Sequence, residues 1–194
     1  MPEAERFSKL VSLACHDLRT PLATIYGFAR TISRSEGLDQ TLVGYSEMIE
    51  AASQQLAELL DELSLASRIQ GGRYEPKLDQ VDTAELAASA VERLGDERVG
   101  VAGRGATVTV DVEATKRSVS ALVQCALRHG GLDRVEVVLD GAELSVSPIT
   151  PASAPVVLGE DLRDLGAAVA SMHIAWLGGS IAVAGETLKI QLPS

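Results

Sequence analysis

His16 is the residue whose setting best suits chemistry. It is followed directly by Asp17, and Thr20 comes about one helical turn later. A neutral imidazole near pH 7 is a good nucleophile towards phosphorus. An adjacent carboxylate favours the tautomer and charge that the ring needs during transfer. These residue types therefore suit a phosphoryl group held on a histidine.

The segment around His16 has the pattern of a helix over about residues 4 to 34. Its apolar residues recur at steps of three and four, which predicts one buried stripe. They are Phe7, Val11, Ala14, Leu18, Leu22, Ile25, Ala29 and Ile32. Since each residue turns by about 100°, His16 points roughly 160° from Leu18, towards solvent. The same count places four residues within about 50° of His16: Leu13, Thr20, Ala23 and Gly27.

The residues beside His16 include small ones, so few large side chains project from this face of the helix. Ala23 and Gly27 would let the helix of a partner lie close to the backbone, and a helical glycine costs about 1 kcal/mol relative to alanine. The alternative is that Gly27 stands at this surface position by chance and has no role. Pro21 removes a backbone hydrogen bond inside the helix and predicts a kink one turn beyond His16.

A second helix follows a short turn at residues 35–40 and stops at Gly71-Gly72. Its apolar residues alternate steps of three and four, as in a coiled-coil seam. They are Leu42, Tyr45, Ile49, Ala52, Leu56, Leu59, Leu63 and Ala66. Residues 1–72 are therefore predicted to form an antiparallel hairpin. Because the outer part of each stripe stays wet in one hairpin, a second copy is expected to complete a dimeric four-helix bundle.

Residues 73–194 have a different sequence pattern, which predicts helices that alternate with hairpin-linked strands. This predicts a two-layer α/β sandwich, so the fold class of the whole chain is α+β. The predicted helices cover about residues 83–94, 113–129 and 161–177. The predicted strands cover about residues 106–112, 135–140, 143–146, 180–183 and 187–192.

The string from His16 to Leu22, His-Asp-Leu-Arg-Thr-Pro-Leu, closely resembles the H-box of two-component histidine kinases. The resemblance implies that His16 is the phosphoacceptor and that Asp17 orients or deprotonates its imidazole. It implies that Thr20 positions water for dephosphorylating a bound regulator. The surface expected to dock the partner is formed by Leu13, Arg19, Ala23 and Gly27.

The second half of the chain resembles the kinase ATP-binding domain. Arg68–Tyr74 looks like the end of the kinase hairpin, Ala126–Gly131 like the end of the N-box helix, and Leu177–Ile181 like the helix-to-strand passage near the kinase C-terminus. The fold that this resemblance implies is that of a nucleotide-binding domain.

The nucleotide-binding residues of that family are nevertheless missing. Cys125 stands where the family has the asparagine that binds Mg²⁺, and a thiol is a poor ligand for a hard ion. Ser147–Pro151, with Pro148 inside it, replaces the D-x-G-x-G motif. Asp161–Gly166 offers one glycine, Gly166, and two acidic groups that would repel a triphosphate. The chain between Ile149 and Asp161 is also too short for a full ATP lid. We therefore expect no ATP binding and no resident metal, with Mg²⁺ supplied by the partner.

The composition of the chain limits the partners and the compartment that can be expected. A net charge of −10 argues against nucleic acid and against an anionic membrane surface, and no apolar run or leader is evident. The chain is expected to be cytoplasmic. Cys15 and Cys125 lack metal-ligand spacing and are expected to be reduced thiols. His129 and His173 are interpreted as ordinary helix residues.

The function that the sequence predicts is that of a ChpT-like histidine phosphotransferase. As a homodimer, it would exchange phosphate between His16 and the aspartate of a response-regulator receiver domain, and a separate histidine kinase is a possible donor. Two alternatives stay open. One is a compact active histidine kinase. The other is a pseudokinase that binds a response regulator and promotes its dephosphorylation through Thr20.

Overall fold

The computed structural model describes the backbone of residues 3–34, 37 and 39–193, and their side chains except those of 3–10, 12–14 and 17. The chain divides into two compact units, Met1–Tyr74 and Glu75–Ser194. Each unit is described separately below.

The first unit is an antiparallel helical hairpin. Its helices are α1, Glu3–Ser33, and α2, Gln40–Gln70. α1 runs unbroken through Pro21. The Asp39 carboxylate accepts a hydrogen bond from the Thr41 amide and so caps α2, whose C-cap is Gly71.

Among the side chains that the structure describes, small ones make up most of the buried contact between the two helices. On α1 the buried residues recur every seventh position, at Cys15, Leu22 and Ala29. On α2 three serines are buried together with Leu65: Ser46, Ser53 and Ser67. The Ser46 hydroxyl donates a hydrogen bond to the Ala29 carbonyl across the hairpin. A stripe of serines buries little apolar area, so this contact contributes modest hydrophobic stabilisation.

The second unit holds a five-stranded sheet and a two-stranded sheet. The larger sheet has the order β2-β4-β5-β7-β6, in which only the β2–β4 pair is parallel, and the smaller sheet pairs β1 with β3. The strands are β1 Leu78–Asp82, β2 Val99–Gly105, β3 Thr107–Asp111, β4 Val135–Gly141, β5 Glu143–Ser147, β6 Ser180–Ala184 and β7 Thr187–Gln191.

Helices pack on one face of the larger sheet and complete a two-layer α/β sandwich. They are α3 Thr83–Leu94, α4 Val112–Gly130, the short α5 Ala154–Val157 and α6 Leu165–Trp176. Alternate residues of the central strands are fully buried against them, as at Val137, Leu144 and Ile190, whereas Val138 on the opposite face is exposed. The fold class predicted from the sequence, helical hairpin followed by α/β sandwich, is confirmed.

Three elements of the second unit were not predicted: β1, β2 and α5. β2 has the sequence Val-Gly-Val-Ala-Gly-Arg-Gly and no fully buried residue, because it lies at the sheet edge and pairs only with β4. β1 is polar and buries only Val81. Neither strand shows the alternation that identifies a half-buried strand. The last helix also begins at Leu165 rather than near Asp161, because Asp164 caps it.

Candidate functional site

The imidazole of His16 is exposed on α1, and three of the four residues predicted to share its face are exposed as well. These are Thr20, Ala23 and Gly27, which follow His16 at successive steps of four, three and four residues, as required for one helical face. No heavy atom lies within 4 Å of where a Cβ on Gly27 would stand, so space remains above the backbone there. The side chains of Leu13 and Asp17 lie outside the described residues, and their predicted roles remain predictions.

Arg19 is held by the hairpin itself. Its Nη2 atom lies 2.6 Å from Oδ1 of Asp61 on α2, and both side chains are about half exposed. The predicted docking residue is therefore an interhelical ion-pair partner, and its guanidinium is fixed three residues along the helix from His16.

The hairpin also carries a long exposed apolar stripe. On α1 it contains Leu18, Ile25 and Ile32, each at least 45% exposed. On α2 it is formed by most of the predicted seam: Leu42, Tyr45, Ile49, Leu56, Leu59 and Leu63. The outer part of each stripe was expected to stay exposed in a single hairpin, and these residues are exposed; serines take most of the buried positions on α2. So many large apolar side chains exposed along two helices are typical of an association surface.

In the second unit, the residue at the Mg²⁺-ligand position has no exposed surface. Cys125 lies on α4 and is completely buried. Burial, followed by the negative charge of Asp164, raises the pKa of the Cys125 thiol to about 12. A neutral buried thiol does not fit the role of the oxygen ligand that Mg²⁺ prefers.

The N-terminus of α6 is filled by the protein's own carboxylate. Oδ1 of Asp164 accepts a hydrogen bond from the amide of Ala167 at 3.0 Å, in the position where a helix could hold a phosphate. The neighbouring Gly166 is buried. Residues 161–166 therefore do not fit a triphosphate.

The electrostatic part of the sequence argument needs correction. Asp161 pairs with Arg163 at 2.8 Å, and Asp164 accepts from Arg128 at 3.3 Å, so both carboxylates are compensated locally. Repulsion of a triphosphate is accordingly weaker than the sequence alone indicates. The Asp164 carboxylate at the N-terminus of α6 is the stronger reason to expect that these residues do not hold a triphosphate.

At the position of the D-x-G-x-G motif, the chain turns from β5 into α5. Pro148 is exposed, Ile149 is buried, and Thr150 and Ser153 are joined by hydrogen bonds to each other. An aspartate that could read an adenine ring is absent from residues 147–151.

Two histidines expected to be ordinary are engaged with polar partners. His173 on α6 is completely buried and lies 2.9 Å from the hydroxyl of Ser118, and burial lowers its pKa to about 4. The Nε2 atom of His129 lies 3.2 Å from Oδ2 of Asp164.

Sequence reasoning also missed a cluster of potential ligands at this point. Cys125, His129 and Asp164 bring one sulfur, one nitrogen and one oxygen within 4.8 Å of one another. The signal available in the sequence was the spacing of Cys125 and His129, which puts both on one face of α4. Asp164 comes from a distant segment and could not be added without the fold.

Comparison with known proteins supports the first unit as a phosphoacceptor hairpin. Residues 8–72 match the family model of the His Kinase A (phospho-acceptor) domain. The match includes His16 and the whole string that follows it.

Curated relatives are bacterial sensor proteins. The chain is 30% identical over 115 residues to the sensor protein DivL of Caulobacter vibrioides, covering 58% of this chain and 14% of DivL. It is 29% identical over 173 residues to the histidine protein kinase DivJ of the same organism, covering 78% of this chain and 27% of DivJ. The chain thus spans about a quarter or less of the length of these two relatives.

Solved structures share the fold of the chain. Full-length ShkA, crystallised in complex with AMPPNP, matches with a TM-score of 0.66 at 17% identity, covering 94% of this chain and 44% of ShkA. The Acinetobacter baumannii histidine kinase AdeS matches with a TM-score of 0.56 at 17% identity, covering 92% of this chain and 98% of the AdeS chain.

Together, these matches show a segment similar to the His Kinase A (phospho-acceptor) domain at residues 8–72, and a fold that the chain shares with the structures of ShkA and AdeS. None of the helices in the described part of the chain is long and apolar enough to cross a membrane.

Proposed function

We propose that this chain is a histidine phosphotransfer protein, which carries phosphate on His16 and exchanges it with the aspartate of a response regulator. The observation that carries the proposal is the exposed imidazole of His16 within the H-box string of a His Kinase A segment. The small side chains of Ala23 and Gly27 on the same face support this proposal, because they leave room beside the ring for a receiver domain.

Transfer needs only a positioned nucleophile on this chain. A ring nitrogen of His16 attacks the phosphorus of an aspartyl phosphate, the P–N bond forms, and the P–O bond to the aspartate breaks, which leaves a free carboxylate. By resemblance, Asp17 accepts a hydrogen bond from the other ring N–H and stabilises the positive charge that develops. The Mg²⁺ that assists would come from the receiver domain. The reverse reaction phosphorylates the regulator.

We infer further that phosphate reaches His16 from another protein rather than from ATP. The buried thiol of Cys125 and the capping of α6 by Asp164 support this, because each takes a place that a nucleotide or its metal would need. The position of Pro148 lacks an adenine-reading carboxylate.

The active form is proposed to be a homodimer. The exposed stripe of Leu18, Ile25 and Ile32 on α1, together with the matching stripe on α2, would be covered by the same surface of a second copy. A four-helix bundle of this kind leaves His16 on the outside.

The experiment that tests the proposal compares two phosphate donors. Wild-type chain and His16→Gln are incubated separately with labelled ATP and Mg²⁺, and with a panel of labelled phospho-receiver domains. We expect acid-labile label on wild type only with a receiver, and none on His16→Gln. Failure of every receiver to label wild type would overturn the proposal.

An active kinase is the second candidate, favoured by the similarity to DivJ over 78% of this chain. It predicts label on wild type from ATP alone and binding of a fluorescent ATP analogue. The ATP arm of the same experiment distinguishes it from the relay.

A regulator-binding pseudokinase is the third candidate, favoured by the exposure of Thr20 one turn beyond His16. In this case His16→Gln would still accelerate dephosphorylation of a receiver, whereas Thr20→Ala would not. A relay shows the opposite dependence on His16.

A further inference from the structure

A compact set of ligand atoms lies between α4 and α6 in the second unit. Cys125 and His129 are one turn apart on α4, and Asp164 is the N-cap of α6. Cys125 is fully buried, and the side chains of His129 and Asp164 are 19% and 8% exposed. The sulfur, nitrogen and oxygen atoms all lie within 4.8 Å of one another.

We propose that Cys125 Sγ, His129 Nε2 and Asp164 Oδ2 bind one Zn²⁺ ion, or a similar borderline-soft transition-metal ion. Three protein ligands of mixed sulfur, nitrogen and oxygen type leave a fourth tetrahedral position for water or an incoming group. The site lies at the position where the kinase family has its Mg²⁺-binding asparagine, so the chain would have exchanged one metal preference for another.

The spacing of the atoms favours this interpretation. Zn–N and Zn–O distances are about 2.0–2.2 Å, so two such ligands of one tetrahedral ion lie about 3.3–3.5 Å apart. The His129 and Asp164 atoms are already 3.2 Å apart. The sulfur atom lies within 4.8 Å of both and would sit about 3.6 Å from them, because Zn–S bonds are about 2.3 Å long, so it needs to approach by about 1.2 Å at most.

The carboxylate of Asp164 is also oriented by its surroundings. Its Oδ1 atom accepts the Ala167 amide hydrogen bond, and this leaves Oδ2 directed towards His129. Such second contacts fix the orientation of a ligand and are a regular feature of metal sites.

The charges balance when the ion binds. The Cys125 thiol releases its proton to solvent, and the resulting thiolate and the Asp164 carboxylate neutralise the dication. A coordinated thiol is deprotonated even where the free thiol would not be. The ion replaces the present contacts of Oδ2 with His129 and Arg128. Because the Arg128 side chain is 57% exposed, its guanidinium can remain in water beside the site.

The ligand types exclude the hard ions. A buried thiolate and an imidazole suit Zn²⁺ and Co²⁺, whereas Mg²⁺ requires near-octahedral oxygen ligands. Selectivity for Zn²⁺ over Mg²⁺ is therefore part of the proposal.

The test uses untagged full-length chain stripped with EDTA and titrated with Co²⁺. We expect thiolate-to-cobalt charge-transfer absorption in the near ultraviolet and intense tetrahedral d–d bands. Both should saturate at one equivalent per chain and be displaced by Zn²⁺ but not by Mg²⁺. Absence of the charge-transfer band in folded wild type would overturn the proposal.

The variants assign the site to its residues. Cys125→Ser, His129→Gln and Asp164→Asn should each weaken Zn²⁺ binding by about a hundredfold or more, since even outer-shell changes cost ten- to a hundredfold. Asp164→Asn keeps the helix cap and so guards against loss of folding, which circular dichroism checks. Cys15→Ser is the matched control, because it removes the other buried thiol, and it should bind as wild type does.

Two results would contradict the assignment. One is unchanged binding by folded Asp164→Asn and His129→Gln, and the other is loss of binding in Cys15→Ser or His16→Gln. The inference is independent of phosphotransfer, because its readout is metal binding and His16→Gln should retain it.

Discussion

Arg19 on α1 and Asp61 on α2 form an ion pair with 2.6 Å between Nη2 and Oδ1, within one turn of His16. The pair links the turn of α1 that carries His16 to the second helix. Both side chains are about half exposed, so solvent screens the interaction.

The first prediction concerns this pair. In a double-mutant cycle with Arg19→Gln and Asp61→Asn, we expect a coupling free energy of about 0.2–1 kcal/mol, because exposed pairs contribute little. Urea unfolding measures it, and 1 M salt should reduce it. Glu47→Gln, an exposed carboxylate on the same helix, is the control for loss of charge. A coupling of several kcal/mol would mean that the pair is shielded from water in the native assembly.

The second prediction concerns the exposed apolar stripe. Ile25→Asp should weaken self-association at least tenfold, because each copy loses about 1.5–3 kcal/mol of side-chain burial and would bury a charge. Sedimentation equilibrium measures the dissociation constant. Thr24→Asp, which adds the same charge at an exposed position outside the stripe, should leave it nearly unchanged. If the two variants behave alike, the stripe is not the interface.

The third prediction follows from the buried imidazole of His173. Its pKa is about 4 in the folded chain and 6.5 when unperturbed, so the unfolded chain binds the extra proton between these values. Stability is therefore full above pH 6.5 and falls as the pH drops towards 4, by about 3 kcal/mol at most.

The measurement is the free energy of unfolding at pH 7.5 and pH 5 for wild type and His173→Gln. The difference between the two pH values should be smaller in the variant, since its amide does not titrate. An equal pH dependence in both proteins would show that His173 does not cause the loss.

The fourth prediction concerns the Cys125 thiol in metal-free protein. Because burial raises its pKa from 9.0 to about 12, the thiolate population falls by about a thousandfold. In a Cys15→Ser background, alkylation by iodoacetamide at pH 8 should be slower than that of a small thiol by at least this factor. Urea should restore the ordinary rate, and rapid labelling of the folded chain would contradict the burial of Cys125.

The sequence was sufficient where local chemistry decides structure. The two helices of the hairpin and the exposed face of His16 follow from helical periodicity, and the helix that ends near His129 follows from its apolar spacing. The turn predicted at residues 35–40 lies largely outside the described residues. β2 could not be found this way, because its glycines and exposed residues become a strand only beside β4. Asp164 caps α6 through the nearby Ala167 amide, but its roles as ion-pair partner and potential ligand depend on α4, which is far from it in sequence.

The buried positions of α2 are a second case that the sequence pattern could not predict. The pattern identified the apolar seam of α2, but it did not identify Ser46, Ser53 and Ser67 as buried residues of the hairpin. Periodicity identifies which residues share a face, but it does not say which of two neighbouring faces meets which partner.

Those serines bear on how the amount of protein in a cell governs its behaviour. Because so little apolar surface is buried between its helices, the hairpin depends for most of its stability on whatever covers its outer apolar residues. If a second copy covers them, dilution destabilises the hairpin as well as dissociating the dimer. At low expression His16 would then be held less rigidly.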